Sequence, residues 1–144
     1  MIRLREIEEL DIKTIFDWRN HPSVRKMMFD SSELIWEKHF SFWMKLLSDD
    51  FVVKYIIEKE NESCGVIRLD LDKSKTVGEI DIFINPAFHG QGIGTLAVKE
   101  LINNQKDKDL RKIVAQVIPE NLGSEKMFKK SGFTTRFAQL EYDL

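Results

Sequence analysis

The sequence predicts an α/β domain of the α+β type, a mixed sheet with an antiparallel N-terminal meander and a parallel βαβ unit in its C-terminal half. Three observations carry this expectation. Phe51–Glu58, Gly65–Leu71 and Val77–Ile84 are β-rich runs joined by the short polar turns Lys59–Glu62 and Asp72–Lys75, the pattern of a meander. Asn85–Thr95 then sets Gly90, Gly92 and Gly94 between a strand and a helix. Beyond them Ile93, Ala97, Val98, Leu101 and Ile102 recur with helical period, and Arg111–Ile118 alternates again as a strand, a connection long enough for a parallel crossover.

Taken in order, Ile2–Ile7 reads as a short strand. A helix follows from about Asp11, a candidate N-cap, with Ile12, Ile15, Phe16 and Arg19 on one side, and Pro22 ends it. Asp17–Met28 mixes aromatic, guanidinium, amide and imidazole groups where a solvated loop would carry Gly, Ser and Asp. A second helix starts after Ser31-Ser32 and shows an aromatic face of Trp36, Phe40, Trp43 and Leu47. In Val77–Ile84 the residues Ile80, Ile82 and Ile84 alternate with Glu79, Asp81 and Phe83, so the two sets face opposite sides of a sheet. Pro119-Glu120-Asn121 opens a last helix in which Ser124, Met127, Phe128 and Ser131 share a face, with Gly132 as its stop. Phe133–Leu144 is expected to hold one strand or two very short ones. No repeat, low-complexity tract or linker divides the chain, which reads as one domain over residues 1–144.

Composition narrows the function. With 22 basic and 24 acidic side chains the net charge is −2, so there is no global attraction for nucleic acid or anionic lipid. The one cysteine, Cys64, allows no internal disulfide, and Met1–Glu6 carries no apolar signal core, from which a cytoplasmic location is expected. No ligand spacing supports a metal site.

The glycine-rich turn is where chemistry first shows. Glycines leave backbone N–H groups uncovered, and at a helix N-terminus these groups lack internal partners and sit at the positive end of the helix dipole, which suits an anion. The spacing excludes the common nucleotide loops. No Lys stands beside these glycines as a triphosphatase loop requires, and Gly90-x-Gly92-x-Gly94, late in the chain, is not the G-x-G-x-x-G of a dinucleotide fold.

His89-Gly90-Gln91-Gly92-Ile93-Gly94 resembles the pyrophosphate motif of the GCN5-related N-acetyltransferases (GNAT), [Gln/Arg]-x-x-Gly-x-[Gly/Ala], with His89 where that family carries Arg or Gln. Asn121–Phe133 is similar to a second motif of the same family, and the predicted element order β-α-α-β-β-β-α-β-α-β matches its fold along nearly the whole chain. The resemblance implies acetyl-CoA as cofactor. By position, Ile82, Phe83 and Ile84 would pair with the pantetheine amides as an extra strand, and the amides of Gly90, Gln91, Gly92, Ile93, Gly94 and Thr95 would hold the pyrophosphate. Asn121 and Ser124 would reach the far side of the pantetheine arm, beside Phe128. Lys126, Lys129 and Lys130 fit either the adenosine phosphates or a solvated helix face.

Transfer to an amine requires a neutral nucleophile, a polarised thioester and a route for the proton. Only about 0.1% of an alkylamine of pKa about 10 is neutral at pH 7, so a positioned base or water relay helps. Glu79 occupies the place where many GNAT members carry an acid, and is either that base or a cross-sheet hydrogen-bond partner; Asp81 is a second candidate. Many members supply a tyrosine hydroxyl where this chain has Phe128. Tyr142, Ser124 or water could serve instead, or the thiolate could leave unassisted, since a thiol pKa of about 8.5 makes it a fair leaving group.

The acceptor is expected between the two N-terminal helices. Trp18-Arg19-Asn20-His21-Pro22 with Arg25, followed by a helix carrying His39 and Trp43, is similar to bacterial acetyltransferases of UDP-linked 4-amino-4,6-dideoxy sugars in pathways to pseudaminic or legionaminic acid. In that reading Arg19 and Arg25 hold a diphosphate and aromatic rings stack on uracil and sugar. The alternatives are that Trp18 and Trp43 are core, Arg19 a surface residue, and His21 and His39 structural. A similar stretch also occurs in ribosomal-protein N-terminal acetyltransferases, so a protein or peptide amine is a second reading, and a catalytically weak acyl-CoA-binding regulatory module is a third. The 12 residues after Gly132 are too few to cover the sheet edge well, and a homodimer through this segment is expected.

Overall fold

Strand alternation sorts this chain into two cores on opposite faces of one sheet. The computed structural model describes residues 1–144 and contains strands β1 (Ile2–Glu6), β2 (Val52–Lys59), β3 (Glu62–Leu71), β4 (Val77–Ile84) and β5 (Lys112–Val114), in that spatial order. The first four pair antiparallel, and β5 joins β4 in parallel. Cross-strand partners share a face, so Val66 opposite Phe83 and Ile56 opposite Val66 belong to one core, while Ile67 opposite Ile82 and Leu69 opposite Ile80 belong to the other.

The helices divide accordingly. On the first face lie α1 (Ile12–Arg19), the one-turn α2 (Pro22–Arg25) and α3 (Trp36–Leu47), which bury Ile12, Ile15, Val24, Trp43 and Leu46 against Val52, Ile56, Val66 and Phe83. On the second lie α4 (Ile93–Asn104) and α5 (Leu122–Lys130), burying Ile93, Ala97, Val98, Leu101 and Phe128 against Ile57, Ile67, Leu69 and Ile80. Fully burying side chains of this size is worth roughly 1.5–3 kcal/mol each, so both cores are needed to hold the sheet between its layers. Cys64 is buried in the second core, with its thiol donating to the Glu62 carbonyl at 3.3 Å.

Several expected elements differ in extent. Asp11 does not cap α1 with its side chain. A 3₁₀ turn, Glu9–Asp11, precedes the helix, and the Asp11 carboxylate accepts from the Glu8 amide and from Arg5 instead. The strand expected over Arg111–Ile118 pairs only through Lys112–Val114. Its alternation reported burial, since Ile113, Ala115 and Val117 all pack on the second core, but β4 leaves it without a ladder partner. No strand forms in 133–144. Phe133, Phe137, Leu140, Tyr142 and Leu144 recur at spacings of four, three, two and two, which no single strand face can satisfy, and the last four are exposed. No helix is long and apolar enough to cross a membrane.

Candidate active site

The site is built around the point where the sheet opens. β4 pairs with β5 only from Val77 to Glu79, against Lys112 to Val114, so the β5-facing edge of β4 from Ile80 to Ile84 has no strand partner. That edge carries Ile82, Phe83 and Ile84, the residues expected to pair with a pantetheine arm. A strand edge with open N–H and C=O groups accepts another extended chain as an added strand.

At the end of this edge the chain turns into α4. Gly90 and Gly92 take left-handed torsions, with φ of +78° and +73°, and Gly92 is the residue from which α4 begins. The first hydrogen bond into the helix runs from the Leu96 amide to the Gly92 carbonyl, which leaves the amides of Ile93, Gly94 and Thr95 without intrahelical acceptors. His89, at the motif position of Arg or Gln, turns its ring back to the base of the loop. Its Nε2 donates to the Ile84 carbonyl at 3.0 Å, tying the glycine turn to the end of β4. Gln91 is exposed. A side-chain carbon at Gly94 would run into the sulfur of Met127, so this glycine lets α5 pack close to the start of α4.

Asn121 caps α5, its Oδ1 accepting from the Ser124 amide at 3.1 Å, while its Nδ2 donates to the Met27 carbonyl at 3.3 Å. It therefore links the C-terminal helix to the segment after α2. Ser124 is half-buried beside it. Phe128 is buried, with Phe133 packed on its ring at 5.1 Å between centroids. Of the three lysines on this helix, Lys129 is committed to Glu125 at 2.8 Å, and all three are exposed.

The acid candidates stand on the other face of β4, toward α1–α3. Glu79 is the last residue of β4 paired on both sides, lies opposite Asp70 of β3, and is exposed without a side-chain hydrogen bond or ion pair. The cross-sheet hydrogen bond considered for it is not made. Asp81 lies opposite Arg68 and acts electrostatically on Arg19. Tyr142 is not brought here. It is 86% exposed in the strandless C-terminal segment, because nothing in the chain folds that segment back over the sheet.

The acceptor candidates separate into structural residues and free ones. His39 is a correction: it is buried between α1 and α3 among Phe16, Trp36 and Trp43, with Nε2 donating to the Ile12 carbonyl at 3.1 Å. Burial lowers its pKa, more than that hydrogen bond raises it, and a neutral imidazole with the proton on Nε2 follows. His21 caps α2, its Nδ1 accepting from the Ser23 amide at 3.1 Å. Asn20 accepts from the Leu34 amide at 2.8 Å and so pins the segment leading into α3. Trp18 is half-buried against the first core.

Arg19 and Arg25 are different. Arg19 Nη1 and Arg25 Nε are both inaccessible to solvent and have no hydrogen-bond partner. Burial pulls the Arg19 guanidinium below the ordinary arginine value, against the attraction of Asp81 and Asp30 and with a further push from Arg68. Arg68 is a functional candidate that sequence reasoning missed. Its signal was the alternation of Arg68 and Asp70 with Ile67, Leu69 and Leu71, which puts two charges on one face of a strand whose other face is apolar. No group of three His, Cys, Asp or Glu side chains is placed to hold a metal ion.

Residues 2–134 match the family model described as an acetyltransferase (GNAT) domain. The chain belongs to the GNAT acetyltransferase family. As an acetyltransferase of this family it is an N-acetyltransferase by class, with acetyl-CoA as donor. It is 26% identical over 138 residues to Acetyltransferase PseH of Campylobacter jejuni, covering 93% of this chain and 85% of that protein. An uncharacterized protein of Methanocaldococcus jannaschii is 30% identical over 140 residues, 92% of this chain but only 28% of that longer protein. The fold is that of spermidine N-acetyltransferase from Vibrio cholerae, solved with CoA and spermine, at a TM-score of 0.88 and 18% identity over 99% of this acetyltransferase and 86% of that one.

Proposed function

We propose that this acetyltransferase, acting as one domain over residues 1–144, transfers acetyl from acetyl-CoA to the primary amine of a UDP-linked 4-amino-4,6-dideoxy sugar. One observation carries the choice of acceptor: Arg19 and Arg25, at the ends of α1 and α2, each hold a buried guanidinium nitrogen with no partner. A donor left unmade costs more than a made bond returns, so such a pair is suited to an anionic acceptor that supplies oxygens. The N-terminal resemblance to nucleotide-sugar enzymes and the similarity to PseH along 93% of the chain agree with this.

The residues divide the work as follows. The pantetheine arm adds to β4 along Ile82–Ile84, and the pyrophosphate rests on the free amides from Gly90 to Thr95. The acceptor reaches the site as the neutral amine, its ammonium proton having passed to solvent, and Glu79, solvent-accessible where the sheet opens, takes the one further proton that the nitrogen loses as it attacks. The amine nitrogen forms a bond to the thioester carbon, the carbon–sulfur bond breaks, and CoA leaves as thiolate without a protein hydroxyl at position 128. The exposed apolar side chains Phe137, Leu140 and Tyr142 support pairing of this segment with a second copy.

The test is an acceptor panel with purified protein. UDP-amino sugars should turn over, UDP should inhibit competitively against the acceptor, and Arg19→Glu or Arg25→Glu should raise the acceptor KM about tenfold or more while leaving the acetyl-CoA KM within about twofold. Good turnover of peptide amines with no inhibition by UDP would replace this reading with the peptide one.

A further inference from the structure

The sheet keeps the two helix layers apart, and one hydrogen bond joins them. Asn121 Nδ2, at the start of α5 on the second face, donates at 3.3 Å to the carbonyl of Met27, which follows α2 on the first face. No other hydrogen bond connects the segment from α1 to α3 with the segment from α4 to α5. The bond passes where the sheet is open: pairing of β5 with β4 stops at Val114 and Glu79, and the chain from there to Asn121 has no strand partner. The Asn121 side chain is held at both ends. Its Oδ1 accepts from the Ser124 amide at 3.1 Å as the cap of α5, which turns its NH2 group toward the Met27 carbonyl.

The carbonyl of Met27 and the amide of Met28 belong to one planar peptide unit. Asn121 donates to one side of it, and from the other side the Met28 amide donates to the Arg25 carbonyl at 3.0 Å. The Met27 amide adds a bond to the Val24 carbonyl at 3.1 Å. A continuous run of hydrogen bonds therefore leads from the cap of α5 to the backbone of Arg25, the residue of α2 whose Nε is buried without a partner. That helix needs outside support. It is one turn long and buries only Val24, and a single turn has almost no stability of its own. The far end of the connection to α3 has a separate tie, Asn20 to the Leu34 amide, so Asn121 is the support at the α2 end.

We propose that Asn121 is a positioning residue for the acceptor: from the helix on the cofactor side it holds the Met27 peptide, and through it α2 and Arg25, at the opening where the acceptor amine meets the pantetheine arm. This rests on the reading that Arg25 takes the diphosphate of a nucleotide sugar. Capping and positioning are separable in Asn121. Ser and Asp also cap a helix through a side-chain oxygen, but Asp has no donor, and the shorter Ser hydroxyl, engaged at the Ser124 amide, falls short of Met27.

The experiment measures the UDP inhibition constant, competitive with the acceptor, and CoA affinity by calorimetry. The proteins are the wild type, Asn121→Ser, Asn121→Asp, Arg25→Gln and the double variant Asn121→Ser with Arg25→Gln. Because the cap is kept, Asn121→Ser and Asn121→Asp should melt within about 3 °C of the wild type, and Asn121→Asp carries the test if Asn121→Ser does not fold. In Asn121→Ser the UDP constant should rise about fivefold or more while CoA affinity changes less than about twofold, and Asn121→Asp should show at least as large a rise. In the Arg25→Gln background the same Asn121→Ser change should alter the UDP constant less than about twofold, because the group it positions is gone; a general loosening of the fold would act equally in both backgrounds. Hydrogen exchange in peptides covering residues 22–28 should quicken in Asn121→Ser, with β2 and β3 unchanged. An unchanged UDP constant or unchanged exchange in the folded variant, a loss of CoA affinity as large as that of UDP, or equal effects with and without Arg25 overturns the proposal. If UDP inhibits the wild type and Arg25→Gln weakens it while Asn121→Ser does not, the nucleotide-sugar reading stands and only the role of Asn121 is removed. If UDP does not inhibit the wild type at all, both fall.

Discussion

Gly92 offers the sharpest test of the cofactor loop, because its structural role can be separated from packing. Its φ is +73° and ψ 10°, and a side-chain carbon placed on it would meet nothing within 4 Å. Gly92→Val therefore creates no clash, and its cost is torsional. An L-residue in the left-handed region costs roughly 1–2 kcal/mol, and more for a β-branched one. Far more stability than that lies in the two cores, so the fold should survive with a Tm lowered by several degrees. The strain is relieved most cheaply by rotating the loop to negative φ, which turns the amides of Ile93, Gly94 and Thr95 away from the pyrophosphate. A hydrogen bond to a charged group is worth roughly 1.5–3 kcal/mol, so losing two weakens CoA binding by more than about a hundredfold. Titration calorimetry with CoA measures this directly, and far-UV circular dichroism checks the fold. Gly92→Asn, which tolerates the left-handed region, should stay within about tenfold of the wild type. A folded Gly92→Val protein binding CoA within about threefold of the wild type would refute the placement of the pyrophosphate on this loop.

Three further outcomes are expected. Glu79→Gln should lower kcat/KM by about a hundredfold or more with CoA affinity unchanged, and a loss smaller than about tenfold would remove Glu79 as the base. Stability should fall in acid through Asp11 and Glu58. Burial pushes Asp11 up but hydrogen bonds from Arg5 and the Glu8 amide outweigh it, and hydrogen bonds from Arg3 and Arg5 hold Glu58 down against burial. Folded-state pKa values below the unfolded ones add stability that is complete above about pH 4–5 and lost as pH drops through the folded values, so Arg5→Met should cost about 2 kcal/mol at pH 7, lower Tm by about 6 °C, and flatten the acid limb of a Tm–pH series. A variant with an unchanged acid limb would show that Arg5 does not hold these carboxylates. Light scattering at micromolar concentration should report a dimer that becomes monomeric when residues 134–144 are removed; a monomeric full-length chain would end the proposal that this segment pairs with a second copy.

What the sequence determined by itself was whatever follows from local period and backbone freedom. The alternation of Ile80, Ile82 and Ile84 with Glu79, Asp81 and Phe83 assigned the two faces of β4 before any coordinate, because side-chain direction in a strand has period two. The glycine spacing likewise marked the turn into α4, since positive φ at Gly90 and Gly92 is a demand that residue type answers alone. Tertiary structure decided everything that depends on partners distant in sequence. Alternation in Arg111–Ile118 could not reveal that β4 diverges after Glu79, because pairing belongs to two chains and burial to one. His39 carried acid–base chemistry in its residue type, yet Phe16 and the Ile12 carbonyl, 23 and 27 positions away, make it part of the core. Arg68 gave the opposite case: its pairing with Asp70 is local to the strand, but its place over the Phe42 ring and opposite Asp81 depends on α3 and β4, which sequence alone does not bring to it.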